Sequence, residues 1–269
     1  MSDKGIIFSA PMVRALLDGR KTQTRRLLSL RGYRGLSEFG PSDTSGYDWH
    51  FRRADGCWCD VRDARLRELL PYAPGDRLYV RENFSVFSDD YGWDYYVERQ
   101  CHEPDRTIVY AADRASGPMV NDRDWQPPRN AKRTVCGPLD GDETYTEIGI
   151  IPCIYLPRWA SRLTLLVTDV RVQRLQEMSA GDAEAEGLIY QNVITGAHGA
   201  TGVHIEETAD RWWNGTEPDD FEGHDDPVDA FEALWNSLHD KVCERWDDNP
   251  WIVTVSFDVK HGNIDRISG

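Results

Sequence analysis

The chain has 269 residues, of which 40% are hydrophobic, and its formal net charge is −15 at pH 7. This apolar content suffices for a buried core in one large domain or two small ones. The acidic balance argues against an indiscriminate nucleic-acid binder, because such binding comes mainly from cations that neutralise phosphates. No stretch approaches ~20 consecutive apolar residues and the N-terminus has no apolar signal segment, so we predict a cytoplasmic protein without a membrane span.

The first predicted elements are a short buried strand at residues 6–8 and a helix at residues 9–17. Ser9 can cap this helix, its apolar residues share one face, and a glycine ends it. A basic segment, GRKTQTRR at residues 19–26, follows directly. Lys21 and Thr24 can gather there around one small polar group, although short Lys/Arg runs are also typical of a solvated basic loop.

Charge is distributed unevenly along the chain. Residues 1–35 hold eight Lys/Arg and two acidic residues, whereas residues 206–232 hold eleven acidic residues and one basic residue, Arg211. A basic site on an acidic body suits an anionic or phosphorylated partner that approaches one face.

Four later segments predict strands. Alternation of polar and apolar residues predicts a half-exposed strand at 77–81, directly after a Pro-Gly-Asp turn, and a closing strand at 251–257 with one buried face. The apolar run at 163–172 predicts a central strand, and residues 108–111 predict another short one.

Two later helices have clear start signals. The pattern Ser179-x-x-Asp182 predicts a capped helix at about 180–186 that stops at a glycine. Glu184 and Glu186 cannot share a face of so short a helix, so one of them can point inward while the other is solvated. An Asp-Pro pair at 226–227 begins an amphipathic helix whose apolar stripe belongs to the core.

Three intervening segments are rich in glycine, proline and polar residues and are predicted to be long inserted loops, at about 30–70, 112–147 and 189–225. The first of them also contains a candidate helix at 61–70. About five strands and three helices in mixed order, without a regular strand-helix-strand rhythm, indicate the α+β class.

The basic segment at 19–26 resembles the signature Gly-x-Lys-x-x-[Thr/Glu]-x-Arg of ASCH domains, which belong to the PUA-like superfamily. Further blocks that are similar to phage and prophage ASCH proteins are PGDRLYVRE at 74–82, LPRWASR at 156–162, DAEAEG at 182–187 and NPW at 249–251. The resemblance spans nearly the whole chain. It implies a single domain over residues 1–269, with the fold of a PUA-like mixed β-pseudobarrel that has a few flanking helices and the three insertions.

The resemblance also implies a function. Small ASCH proteins similar to this chain are bacterial amidohydrolases that remove the acyl group from N4-acetylcytidine, with a lysine, a threonine and a glutamate in catalysis. Lys21 and Thr24 match the first two. Block order matches the glutamate to Glu186, and a shift of one turn would select Asp182 instead. We expect substrate contacts from a further five residues: Arg25, Arg26, Arg81, Arg158 and Trp159.

The same chemistry has a separate physical basis. Amide hydrolysis needs a nucleophile, a base and donors for the oxyanion. Thr24 can attack if a neighbour takes its proton, and Lys21 can accept that proton only if burial and the nearby arginines lower its pKa. The structural alternative is a plain ion pair between Lys21 and Glu186, with Thr24 capping a turn. Likewise, Arg158 can pair with an acid and Trp159 can plug the end of a barrel.

A rival hypothesis is a non-catalytic domain of phage origin that binds RNA or recognises a modified nucleobase, or a ribonuclease. The amidohydrolase hypothesis implies a nucleoside or nucleotide as the partner. Neither hypothesis requires a cofactor.

No metal site is expected. Cys57 and Cys59 can supply two thiolates with His50 nearby, but zinc motifs usually separate paired cysteines by about two to four residues, and no second pair follows. The six cysteines are unevenly spaced in a chain that is not small, which favours reduced thiols over a disulfide framework.

Overall fold

The structure is a computed structural model that describes residues 3–33, 35–88, 106–120, 128, 133–136, 145–198, 205–213 and 223–267. It belongs to the α+β class, with many strands and few helices. The elements in chain order are β1 (Asp3–Ile7), α1 (Ala10–Leu17), β2 (Gln23–Leu27), β3 (Glu38–Pro41), β4 (Trp49–Arg52), β5 (Trp58–Val61), α2 (Asp63–Leu69), β6 (Arg77–Arg81), β7 (Phe84–Ser88), β8 (Arg106–Tyr110), β9 (Ser116–Val120), β10 (Arg133–Cys136), β11 (Tyr145–Ile151), β12 (Leu163–Arg174), α3 (Ala180–Ala185), β13 (Ile189–His198), β14 (Ile205–Trp213), α4 (Pro227–Leu238) and β15 (Trp251–His261).

The chain forms two compact units. Unit 1 includes Asp18–Asp76 and Leu166–Asp258, and unit 2 includes Asp3–Leu17, Arg77–Leu165 and Val259–Gly269. The division falls within β12 and within β15. The prediction of one domain with three insertions stays a prediction.

Unit 1 contains three sheets. In the first, β15 lies between β12 and β2, and β2 pairs antiparallel with β15 so that Thr24 is opposite Val255. The second is the antiparallel set β3-β4-β5, and the third is the β13–β14 hairpin.

Helix α4 covers the core of unit 1. Asp226 caps it, because its side chain accepts a 2.7 Å hydrogen bond from the backbone N–H of Val228, and Pro227 provides a preset first turn. Its apolar stripe then packs with α3 and β15 into one core cluster: Leu175, Met178, Ala183, Leu188, Ala230, Phe231, Trp235, Trp246 and Ile252.

Unit 2 contains the parallel pair β1–β6 and an antiparallel sheet of order β10-β11-β7-β8-β9. The inward residues of β7 and β8 form its core together with the segment before β12: Phe84, Val86, Ile108, Tyr110, Ile151, Leu156 and Ala160. These core residues alternate along β7 and β8 because successive side chains leave a strand on opposite faces, and Ser85 and Val109 between them are buried as well.

The structure corrects the predicted loops. Residues 30–70 contain β3, β4 and β5 as well as α2, and residues 112–147 contain β9 and β10 and the start of β11. Residues 189–225 contain the β13–β14 hairpin. Parts of the last two segments lie outside the described residues. Within the part of the chain that is described, no sheet closes into a barrel.

The remaining predicted elements match within a few residues. The helix expected at 180–186 is α3, and the strands expected at 77–81, 163–172 and 251–257 are β6, β12 and β15. None of the helices among the described residues is both long and apolar enough to cross a membrane.

Candidate active site

Lys21 is placed by the turn after α1. Gly19 has a φ of +73°, a conformation that glycine adopts without steric cost, and it turns the chain out of the helix towards β2. Lys21 then forms an isolated antiparallel bridge with Glu186. The backbone of Thr22 fixes this position, since its N–H donates to Ala185 and its carbonyl accepts from Phe257, each at 2.9 Å.

Glu186 is placed by helix α3. The backbone N–H of Asp182 donates to Oγ of Ser179, and the N–H of Ser179 donates to Oδ2 of Asp182, both at 3.2 Å. This reciprocal cap holds a helix of only six residues, and Glu186 is its C-terminal cap. Glu184 is exposed and accepts a 3.2 Å hydrogen bond from Nε1 of Trp212, whereas Glu186 is 4% exposed.

Three charged side chains meet in a buried cluster. Nζ of Lys21 donates to Oε2 of Glu186 at 2.6 Å and to the carbonyl oxygen of Glu186 at 2.8 Å. Nη1 of Arg25 donates to the other carboxylate oxygen, Oε1, at 3.0 Å. Lys21 is 0% exposed and Arg25 is 4% exposed, so both cations depend on Glu186 rather than on bulk water.

Burial lowers the pKa of Lys21 below the usual lysine value. Loss of water around Nζ is the main cause, because it disfavours the charged amine. The carboxylate of Glu186 opposes this effect, and the positive charges of Arg26 and Arg25 add to it. The net effect is a lysine whose amine loses its proton more readily than an exposed lysine does.

Several polar atoms around the cluster have unused hydrogen-bonding capacity. Within the described part of the chain, Nε and Nη2 of Arg25, Oγ1 of Thr254 and Oε1 of Gln23 are buried without a hydrogen-bond partner. Arg25 lies directly opposite Thr254, and Gln23 lies opposite Ser256. These side chains therefore share one face of the β2–β15 pair. Buried groups of this kind are rare, and a bound polar molecule or water would satisfy them.

Thr24 is buried on the other face of β2, since Gln23 and Arg25 alternate with Thr24 and Arg26 along the strand. The structure thus brings Lys21, Arg25 and Glu186 into one hydrogen-bonded cluster. Asp182, the alternative acid, instead caps α3 and accepts a 3.2 Å hydrogen bond from Arg171. This arrangement favours Glu186 over Asp182 as the partner of Lys21.

Of the other predicted substrate contacts, Arg26 lies in β2 of unit 1 on the Thr24 face, and Arg81, Arg158 and Trp159 belong to unit 2. Nε of Arg81 donates to the carbonyl oxygen of Leu156 at 3.3 Å, and its guanidinium lies 5.7 Å from the ring centre of Tyr79. Arg158 forms ion pairs with Asp3 at 2.6 Å and with Asp265. Trp159 is partly exposed. Their roles as substrate contacts stay predictions.

Sequence reasoning did not single out a second buried ion pair, which lies in unit 2. Nε and Nη2 of Arg162 donate to the two carboxylate oxygens of Glu82 at 2.8 and 2.9 Å. The Arg162 guanidinium also lies 4.1 Å from the ring centre of Tyr110 and donates to Asp113 at 2.8 Å. Glu82 ends the sequence block at 74–82 and Arg162 ends the block at 156–162. Their opposite charges in these two blocks are the sequence signal from which the pair could have been predicted.

Among the described residues, no group of three or more His, Cys, Asp or Glu side chains could hold a metal ion. Cys57 and Cys59 have free thiols. Comparison of the chain with protein-family models, with curated proteins and with solved structures found no match.

Proposed function

We propose that the protein is an amidohydrolase with a PUA-like fold of the ASCH type, which removes an acyl group from the exocyclic amine of an N4-acylated cytosine nucleoside or nucleotide. The observation that carries the proposal is the buried cluster of Lys21, Arg25 and Glu186 beside polar groups without partners. A cluster built only for stability would leave few such groups unsatisfied, because each costs free energy.

Thr24 and Arg25 point to opposite faces of β2 in this structure, so the proposed reaction requires a local rearrangement of β2 that brings Oγ1 of Thr24 to Nζ of Lys21. Oγ1 of Thr24 then attacks the acyl carbon as Lys21, in its neutral form, accepts the hydroxyl proton. The carbon–nitrogen bond then breaks, and the proton that Lys21 took up passes through the carboxylate of Glu186 to the leaving amine. The 2.6 Å hydrogen bond from Nζ of Lys21 to Oε2 of Glu186 is the route of this proton. Water hydrolyses the resulting ester and restores the hydroxyl group of Thr24.

Arg25 suits the role of oxyanion donor in this reaction. Nη1 is occupied by Glu186, but Nε and Nη2 are free of hydrogen bonds, and Nη2 lies 3.5 Å from Oδ2 of Asp182, which is an ion pair too long for a good hydrogen bond. A tetrahedral intermediate would place negative charge within reach of these preformed donors, where the low local dielectric strengthens the interaction. The amide of Gln23 and the hydroxyl of Thr254 would then contact polar edges of the substrate.

Access to the cluster sets a condition on the reaction. Lys21 is fully buried and Glu186 nearly so. Substrate binding therefore requires movement of side chains that cover Nζ in this structure. Such a step would slow binding and would make turnover sensitive to changes at the α3 contact with β2.

The test is hydrolysis of a panel of N4-acylated cytidines by the purified protein, followed by chromatography of the deacylated product. One set of substrates carries different acyl groups on the same nucleoside. A second set keeps the acetyl group and compares the free base, the nucleoside and the nucleotide. We expect turnover of at least one member, and no turnover by Glu186→Gln. An inactive wild-type protein that binds RNA tightly would instead support the non-catalytic hypothesis, and cleavage of RNA would support a ribonuclease.

A further inference from the structure

The β3-β4-β5 sheet of unit 1 presents an unusual outer face. Arg52 lies opposite both Trp58 and Glu38, and His50 lies opposite Asp60, so these side chains share one face. The opposite face carries Phe51, which is fully buried. Trp58 is 51% exposed although it is the largest side chain of the outer face.

The surroundings of Trp58 are those of a stacking platform. The His50 ring meets it edge-on, with ring centres 4.8 Å apart and planes inclined at 68°. The Arg52 guanidinium lies 6.0 Å from its ring centre and forms an exposed 3.0 Å ion pair with Glu38. A flat aromatic surface with a cation beside it binds unpaired nucleobases, because every base has a π-face and the cation attracts the adjoining phosphate.

A groove of about 550 Å³ adjoins the turn of the same hairpin. Three arginines and one acidic residue contribute to its lining: Arg31, Arg53, Arg65 and Asp55. Arg53 pairs with Asp55, and Nη1 of Arg65 donates to Glu68 on the same helix at 2.6 Å. Both pairs are solvated, so exchanging the carboxylate for a phosphate oxygen costs little. A concentration of cations here contrasts with the net charge of −15 for the whole chain.

One hairpin carries both features. Arg53 follows Arg52 directly, and its backbone N–H donates to the carbonyl of Cys57, the residue before Trp58, at 2.9 Å. The platform and the arginine groove are therefore joined by a hydrogen-bonded turn of a few residues. We propose that this surface binds single-stranded nucleic acid, with a base stacked on Trp58 and the adjacent phosphates held by Arg31, Arg53 and Arg65.

This site shares no residue with the proposed active site, so either proposal can fail alone. The strand that it holds is either RNA or DNA. The two sources present the same chemistry of stacked base and phosphate. Binding of labelled RNA and DNA oligonucleotides of one sequence, at several salt concentrations, distinguishes them by their affinities.

Helix α2 supplies a matched pair of variants. Arg65 and Arg67 each form an exposed ion pair within the helix, to Glu68 and to Asp63 respectively, but only Arg65 lines the groove. We expect Arg65→Ala to weaken binding of a short single-stranded oligonucleotide several-fold and to reduce the slope of log affinity against log salt by about 1. Arg67→Ala removes the same charge and should change neither quantity. Equal losses for the two variants would overturn the proposal.

Trp58 tests the stacking half of the site. We expect Trp58→Ala to weaken binding about tenfold and Trp58→Phe to retain most of it, since a phenyl ring still offers a stacking face. Thermal melts confirm that each variant is folded. Duplex or inorganic polyphosphate bound as tightly as the single strand would reject base stacking, as would an affinity that Trp58→Ala leaves unchanged. Absence of binding to any single strand at low salt would reject the site altogether.

Discussion

Nζ of Lys21 lies 2.6 Å from Oε2 of Glu186, although 165 positions separate the two residues in the chain. The turn after α1 and the cap of α3 each fix one partner, so local geometry at two distant points produces the pair. Since both side chains are buried, their interaction is screened far less than a surface ion pair. Stability and the proposed chemistry therefore depend on the same contact.

We predict strong energetic coupling between these two residues. Lys21→Met leaves the carboxylate of Glu186 with one cation fewer, and loss of one member of a buried pair costs about 3–5 kcal/mol in the free energy of unfolding. A double-mutant cycle with Glu186→Gln, measured by urea unfolding, should give a coupling energy above 1 kcal/mol, to order of magnitude. The exposed pair Arg67–Asp63, at 2.8 Å, is the control and should give about 0.3–0.5 kcal/mol. Similar values for the two pairs would contradict the prediction.

Tyr110 should produce a stability change at high pH. Its hydroxyl donates to the carbonyl of Ala160 at 2.7 Å, and burial, aided by the charge of Glu82, raises the pKa of Tyr110 to about 12. The folded state thus keeps the proton more tightly than the unfolded state, whose tyrosine pKa is about 10. This stabilisation is complete below pH 10 and is lost as the pH rises towards 12.

The measurement is unfolding by urea at intervals between pH 9 and pH 12, for the wild type and for Tyr110→Phe. The variant should lose about 1 kcal/mol at neutral pH, because the hydrogen bond is absent, and the difference should shrink as the pH rises. A difference that stays constant across this interval would show that the Tyr110 proton does not affect folding.

We predict that the side-chain cap of α3 contributes to the free energy of unfolding, although the helix has only six residues. Ser179→Ala removes the acceptor for the N–H of Asp182 and should cost about 1 kcal/mol in the free energy of unfolding. Ser237→Ala is the control, since Ser237 is exposed and its Oγ donates to the carbonyl of Leu234 within α4, so its loss should stay within about 0.5 kcal/mol. Chemical unfolding compares the two, and equal costs would remove the special role of the cap.

Local signals explain which elements the sequence could predict. The start of α3 is specified by Ser179 and Asp182, and the start of α4 by Asp226 and Pro227, so both helices follow from residues a few positions apart. The contact of Lys21 with Glu186 has no local signal. Only the order of the matching sequence blocks predicts this contact, because hydrophobic periodicity does not show which distant segments pack together.

The strands in the predicted loops lacked the pattern that identifies a strand. β3, β4 and β5 have four residues each, too few to establish an alternation. In the β13–β14 hairpin Tyr190 and Ile194 are both about half exposed, so apolar residues there do not mark a buried face. The sequence also gives no signal for the buried polar atoms of Arg25 and Thr254 that lack a hydrogen-bond partner, because their burial depends on the pairing of β2 with β15.

The last prediction concerns catalysis. Lys21, Thr24 and Glu186 should act as one unit, so removing any one of them should lower turnover of an acylated cytidine by several orders of magnitude. A second removal should then cost little more. Glu184→Gln is the control for Glu186→Gln, because the side chain of Glu184 contacts Trp212 and is exposed. Loss of activity in Glu184→Gln but not in Glu186→Gln would show that the catalytic acid is Glu184 and that its assignment to Glu186 is wrong.

Two isosteric variants on the β2–β15 strand pair identify the nucleophile. Thr24 lies on one face of β2, whereas the unpaired hydroxyl of Thr254 lies on the face of Arg25. If Thr24 attacks, Thr24→Val should abolish turnover and the acyl-enzyme detected by mass spectrometry, while Thr254→Val should chiefly raise KM, because a substrate contact is lost. Full turnover by Thr24→Val would exclude its attack. Loss of the acyl-enzyme in Thr254→Val alone would then identify Thr254 as the nucleophile. Retention of activity by both variants would require attack by water, with Lys21 or Glu186 as the base.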